Sequence, residues 1–326
     1  MEVVMLMGFP ASGKSTVREE YTKRGFVVLN RDTEGGKVED LIPSFRRLLD
    51  EGKSVVLDNT FLSVASRKPF VSEAAARGVP VDLLWMQTSI EDSQVNACSR
   101  MYDRYGTVFL DNTALKAHAK AANDPNMFPL AAFFAAKKRL DGDKKKNIPS
   151  GKPTKDEGFR AIKKVPFVRR SSGTRKAIIL DYDGTLRADA KEHGGEHPYP
   201  IKPSEVHALP RRREVLQKYL DEGYLLLGVT TQSGIGKGHL TEADARACIE
   251  ETNRQIGLDI ETLFCPHYNF PVACYCRKPL VGLGVQLIKE YDLDPAQCIM
   301  VGDMKTDETF AQRCGFQFQY ADRFFA

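Results

Sequence analysis

Apolar residues fall along the chain in two sets of short runs, separated by longer stretches with helical spacing. In the first set, Glu2–Met7, Phe26–Leu29, Ser54–Leu57 and Val81–Met86 are brief runs rich in Val and Leu. Between them, Ser15–Lys23, Val38–Glu51, Val64–Arg77 and Ile90–Met101 place apolar residues on one helical face. Uninterrupted short runs suit strands buried on both sides, and amphipathic stretches supply the covering helices. A helix-like Ala/Lys stretch, Thr113–Ala122, then leads into a Pro-, Lys- and Gly-rich zone at Asp141–Lys155. The alternation restarts with strand Lys176–Leu180, helix Arg213–Glu222 and strand Leu225–Thr230. Helices Thr241–Ile256 and Val281–Tyr291 and strand Cys298–Val301 follow. The polar stretch Arg169–Arg175 divides the sets. The pattern predicts two doubly wound, parallel-sheet α/β domains, at residues 1–170 and 171–326.

Composition supports two true cores: 326 residues, 42% hydrophobic and 28% charged. No apolar run approaches the ~20 residues of a membrane span. Glu2 stands where a secretory leader carries basic residues. Seven cysteines, an odd number, suit a reducing compartment, so a cytoplasmic address without a membrane partner is expected. The net charge of +4 is unevenly spread. Residues 137–176 hold fifteen Lys/Arg against four acids, a band of +11 in a remainder of −7. Such a band is a candidate surface for a polyanion.

Gly8-Phe-Pro-Ala-Ser12-Gly13-Lys14-Ser15 follows the first strand and opens the first helix, the context of a phosphate-binding loop. Its glycines let backbone N–H groups curl around nucleotide phosphates, Lys14 brings a point charge to them, and the Ser15 hydroxyl is placed for Mg²⁺. ATP or another nucleoside triphosphate is the expected cofactor. Asn30-Arg31-Asp32 and Asp58-Asn59-Thr60 end the second and third strands, so acids from two strand ends reach one cleft. A carboxylate there can take a proton from an acceptor hydroxyl. Arg100 and Arg104 share a helix face ahead of Tyr105-Gly106-Thr107, a candidate hinge for an arginine lid.

These residues resemble the kinase domain of polynucleotide kinase-phosphatases. The resemblance spans Gly8–Thr16, Arg31-Asp32, Val55–Thr60 with Ser66-Arg67, Arg100/Arg104 and the closing stretch Pro153–Phe167. It implies a P-loop kinase fold in which Asp32 is general base toward a 5′-hydroxyl. Asp58, with Asn59 and Arg67 beside it, would orient the acceptor or metal shell. Gly8, Ser12, Gly13, Lys14, Ser15, Thr16 and Arg100 would bind the nucleotide, with Arg104 acting on the transferring phosphate. It also implies that much of the basic zone belongs to this fold. Phage members carry a basic residue shortly after the Arg-Asp pair; here Thr33-Glu34-Gly35-Gly36 follows.

In the second half, Asp181-Tyr-Asp183-Gly-Thr185 follows an apolar strand. Residues i and i+2 at a strand end project into one cleft, so one carboxylate can attack phosphorus while the other handles protons. This is the signature of the haloacid dehalogenase (HAD) superfamily, a Rossmannoid fold. The resemblance continues in Thr230 (phosphate-binding hydroxyl), Lys278 (neutralising the aspartyl-phosphate) and Gly302-Asp303-Met-Lys-Thr-Asp307 (acidic metal motif). It implies Mg²⁺ on Asp181, Asp303 and the Asp183 carbonyl. Cys265, His267, Cys274 and Cys276 lie within twelve residues, a set suited to structural zinc. Cys98, Cys248, Cys298 and Cys314 have no such spacing and read as buried thiols. With Val229–Gly238 and Cys276-Arg277-Lys278-Pro279, the zinc loop is similar to the histidinol-phosphatase and heptose-bisphosphate-phosphatase branch. Thr231 stands where that branch has Asn, and Thr231 and Arg277 are expected to touch substrate.

The combined expectation is a bifunctional end-healing enzyme with RNA or DNA ends as partners and a nucleic-acid ligase acting next. It would move an ATP γ-phosphate to a 5′-OH and remove a 3′-phosphate. The alternative is a small-molecule kinase fused to a sugar-phosphate or histidinol-phosphate-type phosphatase. Homo-oligomerisation is left open.

Overall fold

In a computed structural model, residues 1–108, 129–169, 171–268 and 274–326 are described. The Thr113–Ala122 stretch lies outside them. The chain divides into two units, one of residues 1–97 and 123–169, the other of residues 98–122 and 170–326.

The first unit is a five-stranded, all-parallel sheet in the order β2-β3-β1-β4-β5. Its strands are β1 (Val3–Met7), β2 (Val27–Leu29), β3 (Val55–Asp58), β4 (Val81–Met86) and β5 (Ala161–Val165). Every residue of β1 is buried, as a central strand covered on both faces requires. Helices α1 (Lys14–Lys23), α2 (Arg31–Glu34), α3 (Ile42–Asp50), α4 (Val64–Ala75) and α5 (Ile90–Tyr105) follow successive strands or turns. The register pairs Leu6 with Asp58 and Met7 with Trp85, so chain leaving β1 emerges between β3 and β4. That is the topological switch point, where open α/β sheets bind ligands. Most of the basic band, residues 137–169, belongs to this unit. Helix α6 (Leu130–Asp141) leads into it, and β5 completes the sheet edge with Lys163 and Lys164 exposed.

The second unit repeats the principle with strands β6 (Ala177–Leu180), β7 (Leu225–Thr231), β8 (Glu261–Cys265), β9 (Ile299–Gly302) and β10 (Gln317–Tyr320). Their order is β10-β9-β6-β7-β8, all parallel. Fully buried β6 lies between β9 and β7, with Leu180 level with Val301 and Gly228. Asp181, Thr230 and Asp303 therefore leave one edge of the sheet side by side. Among the described residues, no helix is long and apolar enough to cross a membrane.

Candidate active sites

In the first unit, the turn after β1 closes on itself. Gly13 has a φ of 87° at the N-cap of α1, a left-handed conformation that glycine adopts without strain. At Gly8 a Cβ would come within 2.5 Å of Ser12 Oγ and 2.9 Å of Met86 Cβ, so only glycine fits. Thr88 Oγ1 donates to the Ser12 carbonyl (2.8 Å) and Asn96 Nδ2 to the Ala11 carbonyl (2.9 Å), pinning the loop from behind. Lys14 folds over the loop, donating to the Phe9 carbonyl at 2.8 Å and approaching that of Gly8 at 3.4 Å. Ser15 is half-buried and Thr16 exposed at the start of α1. Ser12 Oγ and Asn59 Nδ2 are buried without a hydrogen-bond partner. A glycine-shaped cradle at a helix N-terminus, with a lysine above it, fits the phosphates of a nucleotide and its Mg²⁺.

The acceptor side gathers around β2 and β3. Asn30 caps α2 by accepting from the Asp32 N–H at 2.6 Å, and Asn59 Oδ1 accepts from the Arg31 N–H at 3.2 Å. Asp32 is exposed and paired with Arg31 at 2.9 Å, while buried Asp58 accepts from Arg18 Nη1 at 3.2 Å. Thus Asp32, Asp58 and Asn59 share the sheet edge that carries the phosphate loop.

Arg67 does not meet its expectation. It is fully buried within α4, and its guanidinium is consumed inside the protein. Nε and Nη2 form a bidentate pair with Glu157 (2.8 and 2.7 Å), and Nη1 donates to the Phe61 (2.7 Å) and Gly151 (2.9 Å) carbonyls. It is a structural clamp, with no donor exposed to substrate. Arg100 and Arg104, half-buried and exposed, lie in the part of α5 grouped with the second unit.

In the second unit, Lys278 is buried; its ammonium donates to Asp181 Oδ1 (2.6 Å) and the Val229 carbonyl (3.0 Å) and forms an ion pair with Asp307 Oδ1 at 2.6 Å. These contacts fix the lysine beside Asp181. Burial pushes the Asp181 carboxyl well above the usual carboxylate range, with Lys278 opposing and the Asp307 and Asp183 charges adding to the rise. Asp303 is also raised, first by burial and then by Asp307. Ligand oxygens of Asp181, Asp303 and Asp307 lie within 4.8 Å of one another. Three hard oxygen donors facing one ammonium leave negative charge that a Mg²⁺ would neutralise, so the set fits that ion. It adds Asp307 to the expected ligands Asp181, Asp303 and the Asp183 carbonyl.

Asp183 is held by two residues the motif reading did not single out. Arg187, fully buried, donates from Nε to Oδ1 (2.8 Å), and Gln232 Nε2 approaches Oδ2 (3.2 Å). The same Gln232 amide reaches Thr230 Oγ1 at 3.0 Å, joining the acid–base group to the expected phosphate-binding hydroxyl. Thr231 Oγ1 is buried and unpartnered, next in line on β7. The four-residue spacings of Asp183/Arg187 and Asp303/Asp307 were the available sequence signals.

The Cys/His set converges as its spacing implied. Cys265 Sγ lies 3.7 Å from Cys274 Sγ, 3.4 Å from Cys276 Sγ and 3.6 Å from His267 Nδ1, which is 3.2 Å from Cys276 Sγ. A tetrahedron with Zn–S bonds of about 2.3 Å has edges of about 3.8 Å, so the group could hold zinc. Arg277 donates to the His267 carbonyl at 3.2 Å, linking this loop to the segment that carries Lys278. The other four cysteines are buried free thiols.

Comparison with known proteins agrees with both halves. Residues 3–125 match the AAA domain family and residues 275–319 the HAD-hydrolase-like family. A probable D-glycero-D-manno-heptose-1,7-bisphosphate 7-phosphatase of Thermoplasma volcanium is 34% identical over 149 residues, covering 44% of this chain and 97% of that protein. The D-glycero-beta-D-manno-heptose-1,7-bisphosphate 7-phosphatase of Haemophilus ducreyi is 34% identical over 151 residues, 43% of this chain and 79% of its own. The solved D,D-heptose 1,7-bisphosphate phosphatase from B. bronchiseptica, with magnesium and phosphate, is 27% identical with a TM-score of 0.39. It covers 44% of this chain and 79% of its own. By its second half the chain belongs to the HAD-type heptose-bisphosphate phosphatase family, and it joins that half to an N-terminal P-loop, kinase-like domain.

Proposed function

We propose that the protein heals nucleic-acid ends, phosphorylating a 5′-hydroxyl and removing a 3′-phosphate so that a ligase can join them. The observation that carries this reading is that one chain assembles two separate groups suited to phosphoryl transfer, the first with Asp32 exposed on the sheet edge that carries the phosphate cradle. The basic band supports a polyanionic acceptor. Lys137, Lys138, Arg139, Lys144, Lys145, Lys146, Lys152 and Lys155 are all exposed on the kinase-like unit, and Phe134 is 55% exposed on α6 among them. Lysines interleaved with an open aromatic ring suit a strand with stacked bases.

In the kinase step, Lys14 and the loop N–H groups hold the donor phosphates, and Asp32 takes the proton of the 5′-OH. The freed oxygen attacks the γ-phosphorus as its bond to the β-phosphate oxygen breaks. In the phosphatase step, Asp181 attacks the 3′-phosphate and the P–O bond to the 3′-carbon's oxygen breaks. That oxygen leaves with a proton from Asp183; a water then attacks the aspartyl-phosphate and returns the proton to Asp183. Lys278 and Thr230 hold the phosphoryl oxygens throughout. A Mg²⁺ on Asp181, Asp303 and Asp307 would screen the phosphate from the carboxylates. The Cys265–His267–Cys274–Cys276 zinc would brace the loop bearing Arg277 and Lys278.

The relatives favour a second reading for the phosphatase half, hydrolysis of a small sugar phosphate. Comparing a 3′-phosphorylated oligonucleotide with heptose-1,7-bisphosphate by kcat/KM tests the choice. Preference for the sugar by tenfold or more would replace the first reading.

A further inference from the structure

Beside the phosphatase carboxylates stands a group of rings that the cleavage chemistry does not use. The loop after Asp183 supplies His197 and Tyr199, and the turn after β7 supplies His239. Tyr199 Oη lies 2.8 Å from His239 Nδ1, with the ring centroids 6.3 Å apart and the planes within 15°. Those values place the two rings edge to edge in one layer. His197 lies over both, 4.3 Å from His239 at 7° and 5.4 Å from Tyr199 at 12°. The three rings form a two-layer raft.

The raft is anchored to the catalytic group. Tyr199 packs on Gly234, where a Cβ would come within 2.7 Å of its Cε2. Gly234 is two residues beyond Gln232, the amide that reaches Asp183 and Thr230. Burial raises the Tyr199 hydroxyl pKa, and the charge on Asp183 adds to the rise. His239 is exposed, and His197 and Tyr199 are half-buried. On the far side of the same turn, Lys237 Nζ sits 5.4 Å from the centroid of the exposed Tyr268 ring. The phosphatase mouth thus has an aromatic and basic rim.

A polyol is selected by directional donors and acceptors. In the raft, the phenol oxygen and one imidazole nitrogen are spent on each other, and the surface offered outward is chiefly ring face. A ring face suits a planar heteroaromatic group and accepts any of the four bases. We propose that the His197–His239–Tyr199 raft is the specificity surface of the phosphatase unit and stacks the base of the nucleotide bearing the 3′-phosphate. This rests on the end-healing reading.

The test uses the full chain and two substrates, a 3′-phosphorylated oligonucleotide and glycerol 2-phosphate, which has no ring. Loss of one stacking ring lowers the ratio of the two kcat/KM values by about 10- to 100-fold in His197→Ala and His239→Ala, chiefly through KM for the oligonucleotide. His239→Phe, which keeps a stacking face, recovers most of the ratio. An equal loss on both substrates, or an unchanged ratio, overturns the raft's role while leaving end-healing intact. Wild-type protein that cleaves glycerol 2-phosphate but not the oligonucleotide overturns both.

Discussion

Replacing Arg67 by Met removes a guanidinium that has no exposure and strands Glu157, whose side chain is only 8% exposed. Two charge-assisted bonds at 2.7–2.8 Å vanish, and the Phe61 and Gly151 carbonyls lose their donor. Breaking a buried ion pair by removing one partner costs about 3–5 kcal/mol, a large part of a domain stability of about 5–15 kcal/mol. With a urea slope of about 2 kcal/mol/M, the midpoint of the first unit falls by about 2 M. Trp85, the single tryptophan, sits on β4 of that unit, so its fluorescence reports this transition. Removing both charges, as Arg67→Met with Glu157→Leu, restores at least about half of the loss, because no charge is then left buried alone. The reasoning is refuted if Arg67→Met keeps its midpoint within about 0.3 M while KM for a 5′-OH acceptor rises tens-fold. That result would return Arg67 to substrate binding.

Further outcomes follow from the two centres. Lys14→Met removes phosphoryl transfer from ATP by at least about 10³-fold while the phosphatase rate stays within about twofold, measured with labelled ATP and phosphate release in parallel. Asp181→Asn abolishes phosphate release and, in acid-quenched protein, the labelled acyl-phosphate; retained turnover would exclude the covalent route. Metal analysis of purified protein finds one zinc per chain, lost in Cys276→Ser together with several degrees of Tm in the second unit. Asp82 is held below the usual carboxylate range, first by its hydrogen bond from Arg160, with burial opposing and Lys163 assisting. Its folded pKa lies below the unfolded value, so its stabilisation is present above about pH 4 and fades as pH falls through the folded value. Asp82→Asn therefore lowers the Trp85-monitored midpoint at pH 7 and has a much smaller effect at pH 2.5.

The central strands were legible because β1, β3, β4, β6 and β9 are buried on both faces, and continuous apolar runs have few other uses. Of the edge strands, only β2 was read, as Phe26–Leu29; β5, β8 and β10 were not. In β5 the outward Lys163 and Lys164 hide the alternation, and pairing with β4 decides its state. In β10 only Phe318 and Tyr320 face inward even in part. The expected helix over Val38–Glu51 is a 3₁₀ turn, Val38–Leu41, followed by α3, which Pro43 starts in its first turn. At the sites, motifs with fixed spacing located Lys14, Asp32, Asp181, Asp183, Lys278 and the Cys/His group, since neighbours along the chain do the positioning. Arg67 was misplaced because its partner Glu157 lies ninety residues away and residue type says nothing of what stands opposite. Gln232 went unassigned for a related reason: its value lies in reaching Asp183, a contact made only when β7 pairs with β6, whereas Arg187 reaches Asp183 from four residues along the same turn.

One measurement tests the whole proposal. A single oligonucleotide bearing a 5′-OH and a 3′-phosphate is incubated with the full chain, Mg²⁺ and γ-labelled ATP, and both ends are read by mass spectrometry. The account predicts a product with a labelled 5′-phosphate and a free 3′-OH, which a ligase can then circularise. An oligonucleotide recovered with both ends unchanged, under conditions where the same protein dephosphorylates heptose-1,7-bisphosphate, would contradict it.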